Sequence, residues 1–264
     1  MELVLLVIII IAVLVYFIQH SSPQAKGAAG EQLIASALQK EIRRGLDGYI
    51  LNNIYLPKMD GGTSEIDILL ISSKGLFVIE SKNYIGYIFG DDQRKNWTVS
   101  LYAGKDWLGF KQTQKYSFYN PVWQNRGHIK ALRNTIGTAY PVYSVIVFSD
   151  RGDLMNISYN PAESVILQAS QLHSFFSSIR IQEPDVLSPE DMNFIYQQLI
   201  PYTNVDESER IAHIEQINAP KPISNTCPLC GGNLVLRTAK QGAHVGQQFY
   251  GCSNYPKCRY IRNL

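Results

Sequence analysis

The chain has no cysteine in its first 226 residues and no acidic side chain from residue 221 to its end at 264. The first absence confines thiol and disulfide chemistry to the tail. The second leaves six basic residues there unopposed (Lys221, Arg237, Lys240, Lys257, Arg259 and Arg262), although the whole chain is only +2. A basic segment of this kind is a candidate anion-binding module. There is also no internal repeat, which sets solenoids aside, and no nucleotide-binding glycine loop, which sets aside P-loop and dinucleotide-binding enzymes. No basic residue precedes the one long apolar run. With 45% hydrophobic and 17% charged residues, what is present suffices for one domain of ordinary size and a small appendage.

The apolar run, residues 3–18, contains sixteen uninterrupted apolar or aromatic residues. As a helix it would span about 24 Å at ~1.5 Å per residue, enough for a thin bilayer with snorkelling flanks. The rival readings are a cleaved signal peptide, which wants a basic start where Glu2 stands, and a buried core helix. Residues 1–20 are read as an uncleaved, single-pass anchor. Lys26, Arg43 and Arg44 follow it, so the positive-inside rule places the soluble body on the cytoplasmic side of the cell membrane.

The four cysteines form two local pairs, Cys227-x2-Cys230 and Cys252-x5-Cys258, separated by 21 residues. Four thiolates so spaced suit a closed tetrahedral Zn²⁺ site; the rival, two disulfides, fits badly with a cytoplasmic body. A lobe this small needs the metal to fold. Between and beside the cysteines, Phe249, Tyr250, Tyr255 and Tyr260 alternate with Lys257, Arg259 and Arg262, and Arg237 precedes them. Stacking rings among phosphate partners are what single-strand binders use. The opening CPLCGGNLVLR and the close FYGCSNYPKCRY resemble the C-terminal zinc ribbons of type IA topoisomerases, which implies that residues 221–264 bind DNA, with single strands as the expected form. The bland alternative is a structural ribbon that docks a protein, its aromatics serving as a mini-core.

The middle of the chain reads as helix, three strands, helix, strand, helix. Residues 27–44 are amphipathic, with Glu31 in what reads as the first turn. Strand-like runs follow at YILNNIYLP, SEIDILLIS and GLFVIESKNY, the last two joined as a hairpin. A polar meander then suggests two strands at the sheet edge. Asn120 and Pro121 open a helix, YPVYSVIVFS is a buried strand, and ASQLHSFFSSIR is a closing helix. This order gives an α/β sandwich with a mixed sheet. Residues 182–220 form a helical linker: a capping box at Ser188-Pro189-Glu190-Asp191 starts one helix, and an acidic helix over 206–217 precedes an extended stretch.

Val78, Glu80 and Lys82 share one face of the third strand, with the last two charges about 6 to 7 Å apart, and Asp67 interrupts the neighbouring apolar strand. Two carboxylates and an ammonium from paired strands can serve Mg²⁺ and a phosphate. In isolation Glu80 and Lys82 would read as a solvated pair, and Glu31 as a helix-dipole partner. His128 shares a helix side with Gln124 and reads as a surface or core-edge histidine. Trp97, Trp107 and Trp123 read as packing residues.

Asp67, twelve residues, then Glu80-x-Lys82 resembles the PD-(D/E)xK nuclease signature. With GAAGE, LNNIYLP, GGTSEIDILLIS, GLFVIESKNYIGYIFG and NPVWQNRGHIKAL, residues 27–181 resemble the nuclease-related domain, NERD. The resemblance implies a restriction-endonuclease-like fold, Mg²⁺ or Mn²⁺, and DNA as substrate. It makes Asp67 and Glu80 metal ligands, Lys82 the general base or water-positioning group, Glu31 an accessory carboxylate and Gln124 a cleft residue. Two departures are Ile66 before Asp67, where the signature has proline, and Ile68 after it, where many relatives place histidine. The expected function is a membrane-anchored, metal-dependent endonuclease or nickase with a DNA-binding ribbon; the alternative is a non-catalytic membrane-associated DNA-binding or scaffolding protein.

Overall fold

A computed structural model describes residues 23–59, 61–105, 110–203, 213, 226–227, 230–239, 241 and 245–263. The chain divides into two compact units, Met1–His213 and Ile214–Leu264. In chain order the first holds α1 (Pro23–Arg43), β1 (Tyr49–Pro57), β2 (Thr63–Ser72), β3 (Gly75–Lys82), β4 (Gly86–Asp91), β5 (Asn96–Lys105), β6 (Lys111–Tyr119), α2 (Pro121–Ile136), β7 (Val142–Phe148), β8 (Gly152–Ser158), β9 (Val165–Gln168), α3 (Leu172–Gln182) and α4 (Pro189–Leu199). The second holds β10 (Leu234–Thr238), β11 (Gln248–Cys252) and β12 (Ile261–Asn263).

The organising layer is a five-stranded mixed sheet, ordered β1-β2-β3-β7-β9. β1, β2 and β3 form an antiparallel meander, whereas β3, β7 and β9 run parallel. One face is covered by α1 and α3, whose Ile34, Leu38, Leu172 and Phe176 pack on Ile68, Leu70, Phe77 and Ile79. The other is covered by α2 and α4, whose Leu132, Ile136, Ile195 and Leu199 pack on Leu69, Ile71, Leu76 and Val78. Strands buried on both faces read as continuous apolar runs, which is why β2, β3 and β7 are plain in the sequence. The α/β sandwich with a mixed sheet is thus observed.

The polar meander does not extend that sheet. β4 and β5 join β6 and β8 in a second, four-stranded sheet, ordered β6-β5-β4-β8. Its inner face carries Ile88, Trp97 and Val99, which need apolar cover of their own and find it on Val122, Ile146 and Phe148. Asn120 fastens this sheet to α2. Its Oδ1 accepts from the amides of Val122 (2.9 Å) and Trp123 (3.4 Å), capping the helix. Its Nδ2 donates to the carbonyls of Asp91, Asp92 and Arg94, the last at 2.7 Å.

A second correction concerns Glu31. Because α1 begins at Pro23, Glu31 stands in its third turn, beyond the reach of dipole stabilisation, which fades after the first turn. The Ser188–Asp191 capping box is observed at the start of α4. The apolar segment 3–18 and the acidic helix expected over 206–217 lie outside the described residues, His213 excepted. No helix among the described residues is long and apolar enough to cross a membrane.

Asn120→Ala is expected to lower the unfolding free energy by about 1–3 kcal/mol, because it uncaps α2 and strands three carbonyls. Ser188→Ala, which removes only a cap, should cost about 1 kcal/mol. Urea denaturation followed by far-UV circular dichroism measures both.

Candidate functional site

The apolar face of β3 ends in Glu80, which is 1% exposed. Its Oε1 accepts from Lys82 Nζ at 2.5 Å, and the same Nζ donates to Gln124 Oε1 at 3.0 Å. Burial would lift the Glu80 carboxyl, but the Lys82 charge and the contact with His128 outweigh it and hold the carboxyl at about 2. Burial would likewise lower the Lys82 ammonium, yet the negative charges of Glu80 and Asp67 raise it above its ordinary value. The pair is therefore ionised.

Asp67 reaches this point through an irregularity in β2. Ile68 and Leu70 pack in one core, as alternation requires, but Ile66 packs in the other with Leu69 and Ile71. The two-residue rhythm slips by one at Asp67, between the pairs Ile54–Ile66 and Asn52–Ile68 of the ladder with β1. Asn53, between those two β1 residues, has a φ of 51°. The register with β1 is the same on both sides of the slip, so no residue is inserted, and the change of face re-aims Asp67. Half-buried Asp67 accepts from the Ser81 amide at 2.8 Å through Oδ2. Burial, followed by the Glu80 charge, pushes its carboxyl well above the ordinary range. A second negative charge is thus disfavoured at a place where a cation would offset it.

Glu31 comes within electrostatic reach because α1 lies close to the end of β3. A Cβ on Gly30 would stand 3.0 Å from Asn83 Cβ and 3.4 Å from Ser81 Oγ. Burial, then the charges of Glu65 and Glu80, raise the Glu31 carboxyl. Sequence reasoning passed over Glu65 and gave His128 no part in the site. Glu65, two positions before Asp67, accepts from Tyr55 Oη at 2.6 Å and lies 3.5 Å from His213 Nε2. His128, expected at the surface or the core edge, lies buried beside Glu80: its Nε2 is 3.1 Å from Glu80 Oε2, and its Nδ1 is 2.8 Å from Ser64 Oγ. The Nε2 and Oε2 atoms are close but misaligned, so neither has a hydrogen-bond partner. The one sequence signal was its four-residue spacing from Gln124. Asn125 holds α2 in place by donating to the Val78 carbonyl (2.9 Å) and Ser144 Oγ (2.8 Å).

Asp67, Glu80, Lys82 and Gln124 therefore converge, with Glu31 at the margin. The residues fit a divalent ion of a particular kind. Glu80 Oε2 is a buried oxygen without a hydrogen-bond donor, and Asp67 adds a second carboxylate. Among the described residues, only the four cysteines form a group of three or more His, Cys, Asp or Glu tight enough to hold a metal unaided. Two carboxylates with water completing the shell is the manner in which Mg²⁺ binds.

In the second unit β10, β11 and β12 form an antiparallel sheet around Cys227, Leu234, Cys252 and Cys258. Sγ atoms of Cys227 and Cys258 are 3.6 Å apart, those of Cys230 and Cys252 are 3.3 Å apart, and all four lie within 4.8 Å of one another. Disulfides would need about 2.05 Å. Tetrahedral zinc with ~2.3 Å bonds places its sulfurs about 3.8 Å apart, so the cluster fits Zn²⁺. Tyr250 and Tyr260 pack on this core, and the Arg262 guanidinium lies 4.8 Å from the Tyr250 ring centre. Arg237, Phe249, Tyr255 and Arg259 line a cleft of about 260 Å³, while Lys257 is exposed. Of the proposed DNA-facing residues, Tyr250 and Arg262 pair beside the cysteine core, Tyr260 both packs on that core and lines the cleft, and the rest line the cleft or stand exposed.

Residues 26–149 match the family model of the nuclease-related domain, NERD. That segment is a nuclease-related domain. Residues 224–264 match the model of the topoisomerase DNA binding C4 zinc finger. An uncharacterized protein of Bacillus anthracis is 28% identical over 221 residues, covering 83% of this chain and 97% of its own. DNA topoisomerase 1 of Helicobacter pylori is 45% identical over 169 residues, 62% of this chain but 20% of that enzyme. DNA topoisomerase 1 of Methanocaldococcus jannaschii is 50% identical over 38 residues, 14% of this chain and 4% of that enzyme. The chain therefore spans a fifth or less of the topoisomerases named. No solved structure matches it.

Three outcomes follow, two for the first unit and one for the ribbon. The raised Asp67 carboxyl contributes stability below the unfolded carboxylate value of about 4 and loses it as pH rises through its folded value. The depressed Glu80 does the reverse, losing its contribution as pH falls toward about 2. In EDTA at pH 8, Asp67→Asn should therefore melt above the parent chain. Glu80→Gln should lose about 3 kcal/mol or more by leaving Lys82 uncompensated; thermal denaturation reads both. Stripping zinc should expose all four thiols to Ellman's reagent and unfold the ribbon, whereas the loaded ribbon should protect them.

Proposed function

We propose that the chain is a metal-dependent DNA nuclease, an endonuclease or nickase, with a restriction-endonuclease-like core over residues 27–181 and a DNA-binding zinc ribbon. The observation that carries this reading is the meeting of Asp67, Glu80, Lys82 and Gln124 at the end of β3 within a nuclease-related domain. Asp67 and Glu80 would hold Mg²⁺ or Mn²⁺, with Glu31 ordering its water. A bound divalent ion supplies positive charge that activates water and neutralises the phosphate. Lys82, whose ammonium is raised by its carboxylate neighbours, acts as a fixed cation opposite the charge developing on the phosphate and positions the attacking water. Gln124 fixes the direction of that ammonium. In the hydrolysis one water oxygen bonds to phosphorus as one ester P–O bond breaks.

The ribbon's resemblance to topoisomerase zinc fingers, together with the open group Arg237, Phe249, Tyr255, Lys257 and Arg259, supports DNA recruitment by stacking and phosphate contact, with single strands preferred. The sixteen apolar residues at 3–18 support attachment to the cell membrane as a single-pass anchor with a cytoplasmic body. One observation favours a second reading, a non-catalytic membrane-associated DNA-binding or scaffolding protein: the Glu80 charge is already balanced by Lys82 at 2.5 Å.

Nicking of supercoiled plasmid by the chain in mild detergent, with Mg²⁺, Mn²⁺ or EDTA, separates the two readings. The nuclease should cut only with metal, and Glu80→Ala and Lys82→Ala should each lose on the order of 10²-fold or more in rate. DNA retarded in a gel but uncut under every metal condition would leave the binding protein.

A further inference from the structure

The nuclease reading leaves a buried histidine without a task. His128 projects from α2 with Nδ1 on Ser64 Oγ at 2.8 Å and Nε2 3.1 Å from Glu80 Oε2. Lys82 takes the other oxygen of the same carboxylate at 2.5 Å. A ring nitrogen that turned a lone pair toward a carboxylate oxygen would be repelled, so Nε2 bears the proton and Nδ1 accepts from the Ser64 hydroxyl. Because Nε2 and Oε2 are misaligned for a hydrogen bond, the histidine flanks Oε2 without occupying its lone pairs.

We infer that His128 is a positioning residue, which with Ser64 behind it and Lys82 opposite locks the Glu80 carboxylate so that Oε2 is presented to the divalent cation shared with Asp67. This rests on the nuclease reading and adds to it a Ser64–His128–Glu80 line reaching across three elements, β2, α2 and β3. The physical logic is that of outer-shell partners, which orient ligands without touching the metal; losing such a partner weakens metal binding by about 10–100-fold.

The test is Mn²⁺ binding by the full chain, read as loss of the free-ion signal in electron paramagnetic resonance, alongside plasmid cleavage and the melting temperature in EDTA. Asp67→Asn defines the signal lost from this site. His128→Leu is expected to raise the half-saturating Mn²⁺ concentration by about 10-fold or more. His128→Gln, whose amide can place a donor near the position of Nε2, should recover most of that loss. Ser64→Ala should fall between them and serves in place of His128→Leu if that variant does not fold. Variants that melt lower yet bind Mn²⁺ as the parent chain does, with cleavage intact at the same metal concentration, would make His128 purely structural and overturn the inference while leaving the nuclease standing. If the parent chain neither binds Mn²⁺ at the Asp67 site nor cuts DNA, the nuclease reading falls, and the inference with it.

Discussion

A carboxylate with 1% of its surface exposed must be compensated, and the arrangement around β3 can be read as the compensation of Glu80. Lys82 supplies the countercharge from the same strand, two residues on, so that the pair forms without closing a loop. Gln124 then fixes the lysine, and His128 flanks the second oxygen. Both come from α2, so their placement depends on how the helix is seated on the sheet. Asn125 and Asn120 provide that seating, one by bonding to the sheet and the other by tying the helix start to the β4–β5 turn.

The second sheet has a place in this scheme. It buries Trp97 against Phe148, with ring planes 4° apart, and so covers the end of β7 beside the strand that bears the site. Its turn supplies the carbonyls that Asn120 holds. The site is therefore framed by two sheets and one helix, with α1 approaching through Gly30, where a side chain would press on Asn83.

Legibility in the sequence followed how local each determinant was. The β2–β3 hairpin, β7, the Asn120-Pro121 start of α2 and the cysteine pairs were readable, because apolar runs, caps and ligand spacings are written over a few adjacent residues. β6 was not, because its sequence KQTQKYSFY is largely polar and pairs only with β5. β9 is four residues long, too short to declare a period. The slip at Asp67 arises where the paired strand holds an Asn at positive φ, a conformation Asn adopts more readily than most residues and which leaves no pattern. His128 and Glu65 draw their meaning from partners distant in sequence, 64 residues away for Ser64 and 148 for His213. Among the candidate residues, Asp67, Glu80, Lys82 and Gln124 were found by motif, and the structure brings them together; the contact of His128 with Glu80 was visible only in three dimensions.

The four-cysteine cluster has an electrostatic consequence for the lobe that contains it. Four thiolates around one dication leave two negative charges at the centre. From residue 221 onward there is no acidic side chain, so this centre is the main fixed anion of that segment, against six basic side chains. Arg237 leans toward that centre by donating to the Cys252 carbonyl at 3.3 Å, whereas Lys257 and Arg259 stand out in solvent. The lobe is thus polarised from within, negative at its metal and positive at its rim. A polyanion approaching from solvent meets the rim first.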